Sequence, residues 1–149
     1  MPLARHQVPG RRAAEAGFTL LEILVVIAIL GLLIGLVAPA ALRQLGGAKV
    51  SVAKQSIERL GSVLDLYKLD VGSYPTTEQG LQALVAKPAN VADWNGPYLK
   101  TASVPADPWG RPYLYKSPGD HAPYEITSYG PSGEPGGAGA TSEIKSTSQ

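Results

Sequence analysis

The sequence predicts an α+β fold in which one long N-terminal helix, a membrane anchor followed by an amphipathic half, packs against a small antiparallel sheet with a loop-rich C-terminal region. Three observations support this prediction. An uncharged apolar run extends from Ile23 to Leu42, and apolar residues then recur every three or four positions from Val50 to Tyr67. Beyond Gly72 the chain breaks into short segments separated by proline and glycine. Short segments separated by proline and glycine are typical of turns and short strands.

The apolar run, 23–42, is long enough to span a bilayer. Insertion of its Leu, Ile and Val side chains is favourable by about 4–8 kcal/mol, which exceeds the roughly 3 kcal/mol that one carboxylate costs even at the bilayer centre. The run therefore inserts despite the neighbouring Glu22. Three arginines precede it, at positions 5, 11 and 12. The positive-inside rule places the N-terminus in the cytoplasm and the remainder of the chain across the membrane.

A cleaved secretory signal peptide is the alternative interpretation of a basic start followed by an apolar run. The small residues at 38–41 could form its cleavage site. A proline within this stretch and the length of the run both disfavour that interpretation.

The amphipathic half follows the anchor, and its apolar stripe would face the head. The stripe comprises Val50, Ala53, Ile57, Leu60, Leu64 and Tyr67. In the head, Thr76 and Gln79 have capping-box spacing and predict a short helix that ends at Pro88. Two strands are predicted at 113–116 and 124–128, joined by a turn. The aromatic residues expected in the core are Trp94, Tyr98, Trp109, Tyr113 and Tyr115.

Composition excludes several classes of function. The chain has 149 residues, which suits one folded head rather than two enzyme domains. Thirteen Lys and Arg against twelve Asp and Glu leave a net charge of +1, so no nucleic-acid partner is expected. There is no cysteine, which excludes disulfides, thiolate metal sites and cysteine nucleophiles. His6 and His121 belong to no catalytic motif, and the sequence therefore predicts no enzyme and no catalytic residue.

The segment Gly17-Phe18-Thr19-Leu20-Leu21-Glu22, with the apolar run behind it, resembles the type IV pilin-like family. The resemblance implies that a prepilin peptidase cuts between Gly17 and Phe18 and then methylates the amine of Phe18. The apolar segment would remain as the anchor, with Glu22 as the fifth residue of the mature chain.

Glu22 is expected to act in assembly, because an unpaired carboxylate is costly in lipid. The freed amine of a neighbouring subunit's Phe18 is the expected counter-charge. The competing interpretation is that Glu22 only lies at the level of the lipid headgroups, where a carboxylate costs little.

Three further strings, Leu66 to Asp70, Tyr74 to Leu84 and Asp107 to Gly110, resemble the major pseudopilins of type II secretion systems. The resemblance implies a structural subunit that polymerises into the periplasmic pseudopilus and helps to drive folded proteins across the outer membrane. Its implied partners are further copies of itself, minor pseudopilins, the prepilin peptidase, and the inner-membrane assembly platform with its ATPase. The alternatives are a type IV pilin or competence pseudopilin, and a monomeric membrane-anchored binding protein.

The expected organisation is a cleaved leader (1–17), a transmembrane and polymerisation helix (18–42), the amphipathic half of the long helix (43–71), a periplasmic globular head (72–137) and a flexible C-terminal tail (138–149). The protein is expected to cross the inner membrane once. Its N-terminus would be cytoplasmic and its head periplasmic, entering the pseudopilus after assembly.

Calcium is the one cofactor that the resemblance implies, because major pseudopilins bind it in the C-terminal loop. In this chain Ser132 stands where the family has an aspartate, and Glu143 is the acidic residue that remains near the later positions. Calcium takes six to eight oxygen ligands, usually with several carboxylates. The sequence therefore predicts a degenerate calcium site with Ser132 and Glu143 as its candidate side-chain ligands.

Overall fold

In a computed structural model, which describes residues 17–137 and 142–146, the chain divides into two compact units, Met1–Ala40 and Ala41–Gln149. The elements in order are an α-helix α1 (Leu20–Val71), a short 3₁₀ helix (Leu81–Leu84) and three strands, β1 (Leu114–Lys116), β2 (Glu125–Ser128) and β3 (Ile144–Lys145). The predicted fold class, a long N-terminal helix with a small antiparallel sheet, is confirmed. Most of the predicted leader, 1–16, and the segments 138–141 and 147–149 lie outside the described residues.

The first unit is described from Gly17 onward and consists mainly of the apolar beginning of α1. The large apolar side chains from Phe18 to Val37 are 45–79% exposed. In the part of the chain that the structure describes, α1 is the one helix long and apolar enough to cross a membrane, and its apolar stretch is not buried inside the protein. A helix that is apolar on every side needs lipid or other helices to cover it.

The second unit has its own core, built on one face of α1. The predicted stripe is confirmed, because five of its six residues are buried and Val50 packs partly buried beside them. The buried residues of this face are Ala53, Ile57, Leu60, Leu64 and Tyr67. The residues packed against it are Leu81, Ala83, Leu84, Tyr113, Ile126 and Ile144.

The sheet has the order β1-β2-β3, and both pairs of strands are antiparallel. Tyr115 lies opposite Ile126, and Ser128 lies opposite Ile144. The two predicted strands are present, each beginning one residue later than expected. β3 was not predicted, and the expectation of a flexible tail over 138–149 is wrong at Ile144 and Lys145. The reason is tertiary, since Ile144 is buried in the core while its backbone pairs with β2.

The predicted capping box forms, but it closes a turn. The backbone N–H of Thr76 donates to Gln79 Oε1 at 2.9 Å, and the N–H of Gln79 donates to Thr76 Oγ1 at 3.3 Å. Gly80 follows with a φ of +59°, which interrupts helical geometry. The helix predicted to run as far as Pro88 is therefore only the four-residue 3₁₀ segment Leu81–Leu84.

Aromatic side chains close the core around the end of α1. Tyr98 contacts the buried Tyr67 edge to face, with ring centroids 5.5 Å apart, and Trp94 contacts Tyr98 at 5.8 Å. The polar atoms of Trp94 and Tyr98 have partners, since Trp94 Nε1 donates to the carbonyl of Ala83 and Tyr98 Oη donates to Asp70, each at 2.8 Å. Of the five aromatic residues predicted for the core, Tyr113 is buried and the other four pack against the core partly buried, which confirms their packing role.

Two tyrosines of the head, Tyr74 and Tyr115, predict a loss of stability at alkaline pH. Burial raises the pKa of Tyr74 to about 12, assisted by the Asp65 carboxylate that accepts its hydroxyl at 2.8 Å, and burial likewise raises the pKa of Tyr115 to about 12. An unfolded tyrosine titrates near 10. The contribution of these two protonated hydroxyls to the free energy of unfolding is therefore fully present below pH 10, and it is lost as the pH rises toward 12. Absorbance at 295 nm and circular dichroism, followed together, should show tyrosine ionisation delayed until unfolding. The Tyr74→Phe variant should show a shallower alkaline loss, and an unchanged profile would contradict this assignment.

Candidate processing and assembly site

Thr19 fixes the start of α1. Its Oγ1 accepts the backbone N–H of Glu22 at 3.1 Å, and its carbonyl accepts the N–H of Ile23 at 3.2 Å. This is the geometry of an N-cap, in which a hydroxyl satisfies a backbone donor of the first helical turn. Thr19 was not singled out from the sequence, although Thr-x-x-Glu is the spacing of a capping box.

The Gly17–Phe18 peptide bond lies immediately before this cap, in non-helical backbone. Both residues are exposed, and a Cβ on Gly17 would meet no atom within 4 Å. A peptide bond in such an open segment is accessible to a protease without disturbance of the helix that follows.

Glu22 lies in the first turn of α1, where the partial positive charge of the helix N-terminus favours a carboxylate. Its side chain is exposed and forms no ion pair within the part of the chain that the structure describes. Phe18 and Glu22 thus lie at the same end of the exposed apolar surface.

The C-terminal loop, defined here as residues 129–137, contains the other candidate residues. Ser132 Oγ lies within hydrogen-bonding distance of the carbonyls of Tyr129 (3.0 Å) and Glu134 (3.3 Å). Glu143, beyond the loop, accepts the backbone N–H of Gly136 through Oε1 at 2.7 Å. Its other oxygen, Oε2, lies 3.2 Å from Lys145 Nζ. Ser132 and Glu143 therefore engage different partners.

The side-chain oxygens of Ser132 and Glu143, as the structure places them, do not fit a calcium ion. Among the described residues there is no group of three or more His, Asp or Glu side chains that could hold a metal. Both oxygens of the Glu143 carboxylate already have partners, and one partner is an ammonium that would repel a divalent cation. Lys145 also lies 3.3 Å from Glu125 in β2. Neither Lys145 nor Glu125 was predicted from the sequence to belong to this region.

Comparison with known proteins finds matches for both the N-terminal segment and the rest of the chain. The family model described as "Type II secretion system (T2SS), protein G" matches residues 40–147, and "Prokaryotic N-terminal methylation motif" matches 12–38. The type II secretion system core protein G of Pseudomonas aeruginosa is 45% identical over 138 residues, which covers 90% of this chain and 96% of that protein. The protein of the same name from Vibrio cholerae is 44% identical over 133 residues, covering 87% and 90%.

A solved structure is similar as well. The crystal structure of the major pseudopilin from the type 2 secretion system of enterohaemorrhagic Escherichia coli matches with a TM-score of 0.59 and 34% identity, covering 70% of this chain and 91% of that one.

A long helix with an exposed apolar beginning, a methylation motif across its start and a small antiparallel sheet define a protein of the pilin-like class. Within that class the protein G model covers most of the chain, and the relatives match it over nearly their whole length. The chain belongs to the type II secretion system protein G family.

Proposed function

We propose that this protein is a major pseudopilin, the structural subunit that polymerises into the periplasmic pseudopilus of a type II secretion system and helps to drive folded proteins across the outer membrane. The observation that carries the proposal is the apolar surface from Phe18 to Val37, which has no partner inside the described chain. Lipid covers such a surface before assembly, and the same surface on other subunits covers it afterwards. The proposed role is structural and uses no catalytic residue.

Maturation is proposed to occur between Gly17 and Phe18, followed by N-methylation of Phe18. The exposed, non-helical bond supports this proposal, as does the methylation motif matched across it. The helix cap at Thr19 is the second residue after the proposed cut, and α1 begins at Leu20, the third.

Assembly is proposed to pair Glu22 of one subunit with the new amine of Phe18 on a neighbour. A carboxylate in an apolar helix bundle is costly unless it is paired. Pairing is available only when the incoming subunit has the correct axial position, so this contact would set the register of the filament. A heterologous contact of this kind gives an open filament when the rotation between subunits does not close a ring, and we propose that growth here is open-ended.

The topology follows from the same segments. We place the basic leader in the cytoplasm, the apolar part of α1 across the inner membrane, and the head in the periplasm. The proposed partners are the prepilin peptidase, other copies of this chain, minor pseudopilins, and the inner-membrane assembly platform with its ATPase. No nucleotide-binding motif occurs in the sequence, so the energy for assembly is proposed to come from the partner ATPase.

The test is mass analysis of the protein from membranes of cells that carry a matching prepilin peptidase. We expect a mature chain beginning at N-methylated Phe18, and full-length protein when the peptidase is absent. A chain still starting at Met1 with peptidase present, or one cut near Ala41, would contradict the proposal. Electron microscopy tests the type IV pilin alternative, which predicts long surface fibres at native expression. A monomeric binding protein instead predicts one subunit per complex and tolerance of Glu22→Ala, and the pseudopilin predicts neither result.

A further inference from the structure

We propose that two cations of the chain itself, on Arg111 and Lys145, hold the C-terminal loop in place of a metal ion, so that the folded head does not depend on calcium. The inference does not rest on the proposed function, because it concerns only how the second unit is stabilised. Two independent sets of contacts carry it, one at each end of the loop.

Lys145 ties the later end of the loop to the sheet. Its ammonium lies 3.2 Å from Glu143 Oε2 and 3.3 Å from Glu125 Oε1. The two carboxylates are mostly buried, with side chains 19% and 21% exposed, so their charges are only partly screened by water. Because Glu143 also accepts the N–H of Gly136, contacts run without interruption from the loop backbone through Lys145 to β2.

Arg111 holds the earlier end. It follows the turn made by Asp107 to Gly110, and its Nη2 donates to the carbonyl of Gly130. Gly133 has a φ of +74°, and a Cβ built there would overlap the same guanidinium. The loop backbone therefore passes directly against the arginine, in a conformation and at a separation that glycine permits.

These two cations do what a bound metal does in other loops: they neutralise carboxylates and engage backbone carbonyls. A lysine ammonium is charged at neutral pH. A calcium ion would have to displace this ammonium from Glu143. The remaining ligands would be mainly hydroxyls and backbone carbonyls, which give weak sites.

The test is thermal unfolding of the full chain in detergent micelles, followed by tryptophan fluorescence. Both tryptophans, Trp94 and Trp109, pack on the core of the head and report its unfolding. The melting temperature of the unmodified protein should differ by less than about 1 °C between EGTA and about 5 mM calcium, a concentration above the dissociation constants of weak extracellular sites.

The variant that tests the ammonium is Lys145→Met, which we expect to lower the melting temperature by about 2–5 °C. Its matched control is Lys100→Met, which removes the same charge from an exposed side chain without an ion pair in the described structure. Lys145→Arg should recover most of the loss. Glu143→Gln keeps an acceptor for Gly136 but loses the charge, and should lower the melting temperature in the same range.

Two results would overturn the proposal. One is a clear rise of the melting temperature of the unmodified protein with calcium, which would show that the loop holds the metal after all. The other is a Lys145→Met variant whose melting temperature equals that of Lys100→Met. Should Lys145→Met fail to fold, the calcium response of the unmodified protein and the melting of Glu143→Gln still decide the question.

Discussion

Replacing Glu22 with alanine is expected to leave processing intact and to abolish filament assembly. The substitution does not touch the Gly17–Phe18 bond, and the Thr19 cap accepts a backbone N–H that alanine also provides. In the assembled bundle, however, the amine of the neighbouring Phe18 would have no counter-charge. An uncompensated charge in such a setting costs about 3–5 kcal/mol, which weakens each subunit addition by a factor on the order of 100 or more.

The measurement is mass analysis of the Glu22→Ala chain together with cross-linking of polymers in the membrane. The matched control is Glu58→Ala, which removes an exposed carboxylate from the second unit and should leave assembly unchanged. Glu22→Asp retains the charge on a shorter side chain and should recover part of the assembly. Normal filaments formed by Glu22→Ala would show that this acid serves only at the headgroup level.

The second large effect is expected at Asp107, whose carboxylate is buried in the head. Its Oδ1 accepts the backbone N–H groups of Trp109 (3.0 Å) and Arg111 (2.8 Å), while Oδ2 accepts the hydroxyl of Ser128 at 2.7 Å. One side chain thus closes the turn and joins it to β2. Asp107→Ala would leave these donors without an acceptor in a buried place, and we expect a loss of about 3–5 kcal/mol in the free energy of unfolding.

Chemical denaturation followed by tryptophan fluorescence measures this loss. Asp107→Asn keeps one oxygen for the turn and should lose less stability than Asp107→Ala. Asp93→Ala serves as the matched control, because Asp93 is exposed and its removal should change the free energy of unfolding by no more than about 0.5 kcal/mol. If Asp107→Ala were as stable as Asp93→Ala, the turn would be held by its backbone alone.

Features that depend on local spacing were predictable from the sequence. The buried stripe of α1 follows from the recurrence of apolar residues, and β1 and β2 follow from short runs of strand-forming residues on either side of a turn. The capping box at Thr76 was also predictable, since it joins residues three apart. The helix after it is shorter than predicted, because the positive φ of Gly80 interrupts helical geometry.

The parts that could not be predicted depend on contacts between distant residues. β3 has two residues and follows a glycine-rich loop, and nothing in its local sequence indicates that Ile144 enters the core opposite Ser128. Lys145 meets Glu125 only because this register places them on neighbouring strands. Arg111 likewise meets Gly130 through tertiary packing across nineteen positions of sequence. The cap at Thr19 differs from these, since it joins residues three apart and its Thr-x-x-Glu spacing is local.

The position of the Thr19 cap has a consequence for the order of events in biogenesis. Among the described residues, the hydrogen bonds that cap the start of α1 join Thr19 to Glu22 and Ile23, on the C-terminal side of the Gly17–Phe18 bond. A cut at the proposed position would leave these hydrogen bonds on the mature chain. We therefore expect the peptidase to be able to act on a precursor in which this helix start has already formed.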